Sequence, residues 1–551
     1  MKRFPWLLAL VACGASRPVP GVRYANAPAV TAVDDRRDVP NQPERRTFFQ
    51  HLYHYDGTIQ RRLVRAMELP PPQRAQGVNA LDEVPDSTWF TNRIGQRDLS
   101  LDELRAGPAR IDSPELHKPW TITSTKPGGT EIGFVFKDAR GIKFLLKFDP
   151  AGFPEQETAT HVIVGKLLWA CGYNTTEDFV VKVRRDDLVL APDARIKDDH
   201  GDDGKLDSHE LDKRFAQIDI DGDGEIRGMA SRWLDGKPIG GFPAEGVRDD
   251  DPNDRIPHEL RRDLRGAYPI FAWLDHVDIQ ESNFLDTWAA DPRDPRRHYV
   301  KHYLIDFGKS LGVMDTTGRN PRHGYDYVID FAEMTRSLVT AGTMLRDWEG
   351  REQPKLRGIG LYTAAGFDPG DWKPDFPSYV PLLVADRIDK FWGTKILMRF
   401  TREQIRAIVE TGRLSDPRAT DYLVDTLVAR QRATGAYWFS RTNPLDRFAV
   451  DHGRLCFDDL MLVYDLGPKP ADTRYTITTF DAGEHPLARL ETRPDARGHA
   501  CTAALPLPAW GDGYTIARVS TSRPGFQGDT FVHLARDRAT GQPRVIGIWR
   551  P

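Results

Sequence analysis

Three short apolar runs follow one another from Trp120, and each is separated from the next by a turn that contains glycine. The runs read WTITST, EIGFVFKD and IKFLLKFD, and the separators read KPGGT and DARG. Apolar runs joined by such turns are typical of β-hairpins. A helical segment, EQETATHVIVGKLLWACGYN, comes next, and Gly172 is placed to end it. The sequence therefore predicts a hairpin sheet followed by a helix.

The rest of the chain divides into segments of different periodicity. Two further strand-like runs, DFVVKVRRD and DLVLAP, follow the helix. Residues 46–118 space their apolar side chains like a helix and are predicted to be a mostly helical N-terminal extension, and residues 255–285 and 386–440 are predicted to be largely helical. Residues 446–551 alternate apolar and polar side chains between Gly and Pro turns, which predicts a small antiparallel β domain.

The segment WLDHVDIQESNFLDTW places a dense group of polar residues inside an apolar stretch. Asp278 and Asn283 stand five positions apart in it, and Asp306-Phe307-Gly308 follows the apolar run YLI. Buried polar groups cost free energy unless each has a partner. A functional site explains this pattern, and a solvated loop is the alternative.

In this order the segments resemble the protein-kinase-like fold over residues 120–440, and in particular the atypical bacterial kinases of the HipA-like and spore-coat kinase-like groups. The motifs follow one another in the order found in kinases: the glycine turn, Lys147, a helical Glu, D-x-x-x-x-N and DFG. The resemblance implies an α+β, two-lobed fold. Residues 119–192 would form the N-lobe, and residues 231–445 would form the linker and the helical C-lobe.

The resemblance implies a role for each polar residue of the two motifs. Asp278 would be the catalytic carboxylate that orients an acceptor hydroxyl and takes its proton. Asn283 and Asp306 would hold Mg²⁺ against the phosphates of ATP, because oxygen ligands suit a hard cation.

The nucleotide phosphates would be held from the hairpin side. Lys147 ends the run KFLLK, as the phosphate-binding Lys of a kinase ends its strand, and Glu157 in the next helix would fix it. Gly128, Gly129 and Gly133 would let backbone N–H groups approach phosphate closely. Each of these residues also has an ordinary structural explanation, as a turn, an exposed strand end or a favourable charge in a first helical turn.

The chain departs from the kinase pattern at several positions. Val277 replaces the Arg that reads a phosphorylated activation loop in many kinases, and Gln280 stands where a catalytic-loop Lys would neutralise the γ-phosphate. Glu155 competes with Glu157 for the helical carboxylate, and His161 lies one turn further along the same face. These departures leave a non-catalytic pseudokinase as the alternative to an enzyme.

An acidic segment, residues 193–230, resembles a pair of EF-hand calcium loops inserted into the N-lobe. The candidate ligands are Asp199, Asp203, Lys205, Asp207 and Glu210 in the first loop and Asp219, Asp221, Asp223 and Glu225 in the second. Leu211, Phe215 and Ile218 lie on one face of the helix expected between the loops. Gly201 and Ala230 stand where ligands are expected, so we predict weak binding. An acidic surface loop is the alternative.

The N-terminus, MKRFPWLLALVACGAS, has the layout of a secretory signal. Residues 1–13 resemble a lipoprotein signal peptide with Cys13 as the lipidated residue, and an ordinary cleaved signal peptide is the alternative. Residues 14–45 are predicted to be a flexible tether. An exported, envelope-anchored protein, facing the periplasm or in the outer membrane, permits a disulfide between Cys456 and Cys501, whereas Cys171 is expected to be an inert packed thiol.

Charge and composition exclude little beyond nucleic acid as a partner, because 76 basic and 80 acidic residues nearly cancel. Two functions of different class remain open. One is a membrane-tethered, calcium-binding kinase that transfers phosphate from ATP to a protein or small-molecule acceptor. The other is a non-catalytic, calcium-binding pseudokinase or scaffold of the cell envelope.

Overall fold

The computed structural model describes residues 19–47, 55–68, 72–126, 132–197, 203–220, 222–313 and 321–551. Their contacts divide the chain into two compact units. The larger unit comprises residues 30–79 and 83–442, and the smaller unit comprises, among the described residues, 19–29, 80–82 and 443–551. No helix within the described ranges is long and apolar enough to cross a membrane.

The larger unit is built from strands and helices in an α+β arrangement. Its strands are β1 (Trp120–Thr125), β2 (Gly133–Lys137), β3 (Lys143–Lys147), β4 (Asp178–Arg184), β5 (Leu188–Lys197), β6 (Asp203–Lys205), β7 (Glu225–Arg232), β8 (Lys237–Pro238), β9 (Phe284–Asp291) and β10 (Asp294–Leu304). Its helices are α1 (Arg61–Glu68), α2 (Leu101–Ala106), α3 (Gln156–Cys171), α4 (Ser208–Phe215), α5 (Arg262–Arg265), α6 (Ala267–Leu274), α7 (Phe331–Val339), α8 (Val380–Val384), α9 (Arg387–Leu397), α10 (Arg402–Val409) and α11 (Pro417–Phe439).

The described strands of the larger unit form one seven-stranded mixed sheet, in the order β4-β7-β3-β2-β1-β5-β6, and a three-stranded sheet, β10-β9-β8. The pair β1 and β5 is parallel, whereas β2 and β3 form the predicted antiparallel hairpin. The Asp138 carboxylate closes the hairpin turn by accepting hydrogen bonds from the N–H groups of Arg140 and Ile142 at 2.9 and 3.0 Å. An Asp that bonds its own backbone two residues on is a local turn signal, which explains why the sequence predicts this hairpin correctly.

Side chains alternate between the two faces of the seven-stranded sheet. Phe144 and Leu146 of β3 lie in the main apolar core, which α4 covers with Leu211 and Phe215. The Phe215 ring stacks on Phe134 of β2 with ring centroids 5.2 Å apart. The opposite face carries α3, which packs against β4 and β7. The side chains of β3 that alternate with the core residues therefore face the α3 side.

The ends of α3 are determined by local chemistry. Asp149 accepts hydrogen bonds from the N–H groups of Glu155 and Thr158, both at 2.9 Å, so its carboxylate satisfies donors of the first turn. Gly172 ends the helix at φ 133°, and a Cβ at this position would lie 2.2 Å from the Phe90 ring. Only glycine fits both the backbone angle and the close approach.

The acidic segment differs from a pair of EF-hands. Its central helix forms as predicted, and Leu211, Phe215 and Ile218 are buried. However, strand β5 precedes the first loop where an EF-hand has a helix, and strand β7 follows the second loop and pairs with β3 and β4. The physical reason is that residues 225–232 pair with β3 and β4 and are buried on both faces, with Ile226 and Ala230 in the main core and Met229 on the opposite face, which favours a strand.

Two predictions for the N-terminal region are wrong for the described residues. Within residues 46–118, α-helix is confined to α1 and α2, and the other described parts are mostly irregular and held by isolated contacts. Residues 19–45 pack on the two units instead of forming a flexible tether. Val39 is buried and its N–H donates to His298 O at 2.8 Å in the larger unit, and Tyr24 Oη donates to Ile548 O at 2.8 Å in the smaller unit. Burial of apolar side chains outweighs the flexibility expected from the composition.

The smaller unit is the β domain that the sequence predicts. Its strands are β11 (Leu445–Asp451), β12 (Arg454–Asp459), β13 (Arg474–Asp481), β14 (Pro486–Thr492), β15 (His499–Ala504), β16 (Thr515–Arg523), β17 (Phe526–Arg536) and β18 (Pro543–Trp549), with one short helix, α12 (Leu460–Val463). They form two antiparallel sheets, β14-β13-β16-β17-β18 and β11-β12-β15.

Cys456 and Cys501 are register partners on β12 and β15 and are joined by the disulfide that the sequence predicts, with Cα atoms 4.1 Å apart. Cys171 is buried in the larger unit and free.

Candidate functional site

A cleft of about 200 Å³ opens on the α3 side of the seven-stranded sheet. Its apolar walls are formed by Leu145, Met229, Trp233, Leu234, Leu285 and Ile305. Lys147, His161 and Asp306 form its polar end. The cleft thus lies between strands β3 and β7, the segment that follows β7, and the hairpin β9–β10.

Lys147 and Asp306 form an ion pair at this polar end. The Lys147 Nζ lies 2.8 Å from Asp306 Oδ1, and the two side chains are 6% and 41% exposed. Asp306 has a φ of 62°, in the left-handed region that a residue with a Cβ adopts only at a cost. Burial would raise the pKa of Asp306, but Lys147 and His161 outweigh it and hold the pKa well below its usual range. Asp306 is therefore a carboxylate, strained into place and partly open to a ligand.

His161 of α3 lies between two carboxylates. Its Nδ1 is 3.2 Å from Asp178 Oδ2, and its Nε2 is 3.5 Å from Asp306 Oδ1. Burial would lower the pKa of His161, but Asp178 and Asp306 outweigh it and raise the pKa to about 9. The side chain is therefore an imidazolium at neutral pH and links α3 electrostatically to the residue at the polar end of the cleft.

Glu157 and Glu155 have different surroundings. Glu157 is buried in the first turn of α3, and a Cβ on Gly308 would lie 2.8 Å from its Oε1. Glu155 instead bonds the Arg357 guanidinium at 2.7 Å and accepts from the N–H of Ser415 at 2.8 Å. Glu157, and not Glu155, thus lies beside the Asp306-Phe307-Gly308 segment.

Phe307 anchors this segment to α3. Its ring is fully buried and makes edge contacts with His161 and His276, with ring centroids 5.5 and 5.9 Å away. A Cβ on Gly165 would lie 3.3 Å from the Phe307 ring, so glycine at this position permits the close approach of helix and ring. Burial lowers the pKa of His276 to about 4, and its Nδ1 hydrogen-bonds with Ser310 Oγ at 2.9 Å.

The loop from Asp278 to Asn283 is held by its own side chains. The amide of Asn283 donates to the Asp278 carbonyl at 2.8 Å, and Gln280 Nε2 donates to Asp278 Oδ1 at 3.1 Å. The N–H of Ile305 donates to the Asn283 carbonyl at 3.1 Å. The loop is therefore connected directly to the residue that precedes Asp306.

Lys309 is a site residue that the sequence analysis missed. Its Nζ lies 3.2 Å from Asp278 Oδ2. Burial would lower the pKa of Lys309, but Asp278 outweighs it and the pKa is raised. The signal that could have found Lys309 is its position directly after Asp306-Phe307-Gly308.

The glycine turn is described only in part. Gly133 is the register partner of Lys147 across β2 and β3, and a Cβ there would lie 2.7 Å from the Leu146 carbonyl, so the position requires glycine for packing. Gly128 and Gly129 lie outside the described residues, as does Cys13. Phosphate binding by the turn therefore stays a prediction.

The described calcium-loop residues have local partners. Asp207 caps α4 by accepting from the Glu210 N–H at 3.0 Å, and Glu225 pairs with Lys182 at 3.3 Å. Asp219 Oδ2 accepts from the Gly152 N–H at 2.8 Å, and Asp223 Oδ1 accepts from the Glu225 N–H at 3.1 Å. In the described part of the chain, these carboxylates do not form a group of three within 4.8 Å. Lys205 is exposed on β6, whereas Asp199, Asp221 and the side chain of Asp203 lie outside the description.

Comparison with known proteins identifies no family. No protein-family model matches the chain, and no curated protein matches it. Among solved structures, the crystal structure of the Golgi casein kinase with Mn/ADP bound is similar at a TM-score of 0.27 and 11% sequence identity, covering 61% of this chain and 72% of that chain. A similarity at this level does not establish a shared fold.

Proposed function

We propose that the larger unit is a kinase-like enzyme that binds ATP with a divalent cation in the cleft and transfers the terminal phosphate to an acceptor hydroxyl. The observation that carries this proposal is the Lys147–Asp306 ion pair at the polar end of an apolar cleft. Asp278 and Asn283 lie on the adjoining loop. The loop is joined to the residue before Asp306 by the hydrogen bond from the Ile305 N–H to the Asn283 carbonyl, and this connection supports assigning the groups that phosphoryl transfer needs to one site.

The shape of the cleft supports nucleotide binding. Its apolar walls suit the faces of a nucleobase, and its polar end suits phosphates. The segment Trp233–Leu234 borders the cleft directly after β7, so its backbone is placed to meet the edge of the base. Lys147 supplies the positive charge on the phosphate side and is buried along its stem.

Asn283 and Asp306 are the residues that would hold a cation. The donor set fits, because a carboxylate and an amide oxygen are ligands that Mg²⁺ or Mn²⁺ accepts. The Asn283 amide engages its NH₂ group with the Asp278 carbonyl, which leaves Oδ1 as its ligand atom. Such a cation would neutralise charge on the phosphates and hold them in line.

Asp278 would orient the acceptor hydroxyl and take its proton. Its side chain is 11% exposed, so it is reachable yet held in a largely desolvated position. Gln280 donates to Oδ1, and this hydrogen bond restricts the rotation of the carboxylate. Positioning of this kind supplies most of the catalysis in phosphoryl transfer.

Binding and turnover test the proposal separately. We expect wild-type protein to bind Mg²⁺–ATP in isothermal titration calorimetry and to release ADP in a coupled assay. Lys147→Met should weaken nucleotide binding, and Asp278→Asn should preserve binding while abolishing turnover. Lys137→Met, at an exposed end of neighbouring β2, is the matched control and should change neither quantity. Binding without turnover would favour the pseudokinase alternative, and no binding would refute the proposal.

Calcium binding by the acidic segment, and anchoring in the cell envelope through a lipidated Cys13, are also proposals. Calcium binding is proposed from the spacing of the acidic residues alone. Its coupling to the cleft is proposed from the path of the chain, since β7 connects residues 219–224 directly to the cleft-lining Trp233. Calcium bound there would order this path and tighten nucleotide binding, and the coupling would be reciprocal. Titrating ATP with and without Ca²⁺ tests this coupling. Equal ATP affinities, with calcium binding demonstrated, would leave calcium a purely structural role.

Mass analysis of the N-terminal peptide from the native host tests whether Cys13 carries a lipid.

A further inference from the structure

We propose that Lys309 supplies the positive charge beside the transferred phosphate. The loop from Asp278 to Asn283 has the neutral Gln280 at the position where a kinase catalytic loop has a lysine. This inference rests on the proposed phosphotransfer and adds a catalytic residue to it. The two carboxylates of the site each have one lysine partner: Lys147 lies 2.8 Å from Asp306, and Lys309 lies 3.2 Å from Asp278.

The backbone holds Lys309 next to the loop. The N–H of Val277 donates to the Lys309 carbonyl at 3.4 Å, and the N–H of Leu311 donates to the Leu274 carbonyl at 2.9 Å. These bonds join the segment after Gly308 to both sides of the turn that precedes Asp278. The Lys309 side chain is 35% exposed, so its ammonium group is accessible to a bound ligand.

The surrounding charges favour a cation at this point. Asp278, Asp306 and Asp375 all raise the pKa of Lys309 against the opposing effect of burial. Two histidines also lie close to this group: His323 has its Nε2 3.3 Å from Asp375 Oδ1, and His276, whose pKa burial lowers to about 4, hydrogen-bonds with the backbone of Lys309. Lys309 therefore stays an ammonium throughout neutral pH, as the neutralisation of phosphate charge requires.

The two oxygens of the Asp278 carboxylate have different partners, and the proposal gives each of them a role. In the structure Asp278 Oδ2 contacts Lys309, and Oδ1 accepts from Gln280. When nucleotide is bound, Lys309 turns from Asp278 to the oxygens of the γ-phosphate, which frees Oδ2. The acceptor oxygen then forms its bond to the γ-phosphorus, the bond from that phosphorus to the bridging oxygen breaks with its electron pair passing to ADP, and the acceptor proton moves to Asp278. Lys309 transfers no proton.

A substitution series separates this role from a structural ion pair. The variants are Lys309→Met, Lys309→Arg and the control Lys373→Met, which removes a lysine paired at 2.8 Å with Asp330 outside the site. We expect Lys309→Met to lower kcat by about 10²–10³-fold, as loss of one charge-stabilising group does. Its affinity for Mg²⁺–ADP should change less than about fivefold, which corresponds to the upper end of the contribution of an exposed ion pair. Lys309→Arg should recover part of the rate.

A transition-state mimic supplies a second measurement. Adding aluminium fluoride to Mg²⁺–ADP should tighten binding to the wild type and to Lys373→Met, but not to Lys309→Met. Equal kcat and equal fluoride tightening in Lys309→Met and wild type would overturn the inference while leaving the proposed function intact. An equal loss of affinity for ADP with and without fluoride would show a structural role and would also overturn it. A wild type that binds no nucleotide would overturn the proposed function, and this inference with it.

Discussion

Replacing His161 by Gln should remove a buried positive charge, and the cost to the larger unit should depend on pH. His161 lies between Asp178 and Asp306, and its pKa is raised from 6.5 to about 9 although burial opposes the rise. A histidine whose pKa is raised on folding stabilises the protein fully below the unfolded pKa. That contribution is lost as the pH rises through the folded pKa.

The size of the effect follows from the two pKa values. The interval from 6.5 to about 9 corresponds to about 3 kcal/mol, because one pKa unit is worth about 1.4 kcal/mol. We therefore expect the stability advantage of wild type over His161→Gln to be largest at and below about pH 6.5. It should shrink by about this amount as the pH approaches 9. The remaining difference at high pH would reflect packing alone.

Hydrogen exchange in urea measures the effect in the right part of the molecule. Peptides from α3 report the opening of the larger unit, so unfolding of the β domain does not contribute. The matched control is His533→Gln, measured on peptides of β17. Burial lowers the pKa of His533 from 6.5 to about 4, so its contribution to stability changes only as the pH falls below 6.5. The stability difference of this control should therefore be constant from pH 6.5 to 9. A stability difference for His161→Gln that is constant from pH 6.5 to 9 would refute the assigned charge.

Three further predictions concern other parts of the chain. Replacing Cys456 and Cys501 by Ser opens a covalent loop with a sequence separation of 45 and should destabilise the β domain by about 4 kcal/mol. Urea unfolding of the wild type and of the double variant measures this difference, and equal unfolding midpoints would contradict it. Gly165→Leu should cost about 1–3 kcal/mol by overpacking against Phe307 and weaken Mg²⁺–ADP binding in calorimetry, whereas unaltered binding would show that the ring position does not matter to the site. Asp219→Ala should weaken Ca²⁺ binding in the same instrument, and an affinity equal to that of wild type would exclude this carboxylate as a ligand.

Local patterns were sufficient for the order of elements around the site. The hairpin, the helix that Gly172 ends and the β domain follow from periodicity and turn chemistry, which act over a few residues. The same signals place Lys147 at a strand end and Glu157 in a first helical turn. They failed for residues 225–232, because the acidic loop before them predicted a calcium motif whereas pairing with β3 and β4 decided the strand.

The sequence by itself determined which elements form and which residue types the chain carries, and the tertiary structure decided which of those residues meet. Periodicity predicts that Glu155, Glu157 and His161 belong to one helical segment. Only the docking of α3 on the sheet brings Glu157 beside Gly308 and His161 beside Asp306. Glu155 precedes the helix with a φ of 68° and bonds Arg357 instead. Lys309 reaches Asp278 through contacts between segments that lie far apart before folding. Helix rotation and cross-chain contacts depend on the packing of the whole unit, and no local pattern encodes them.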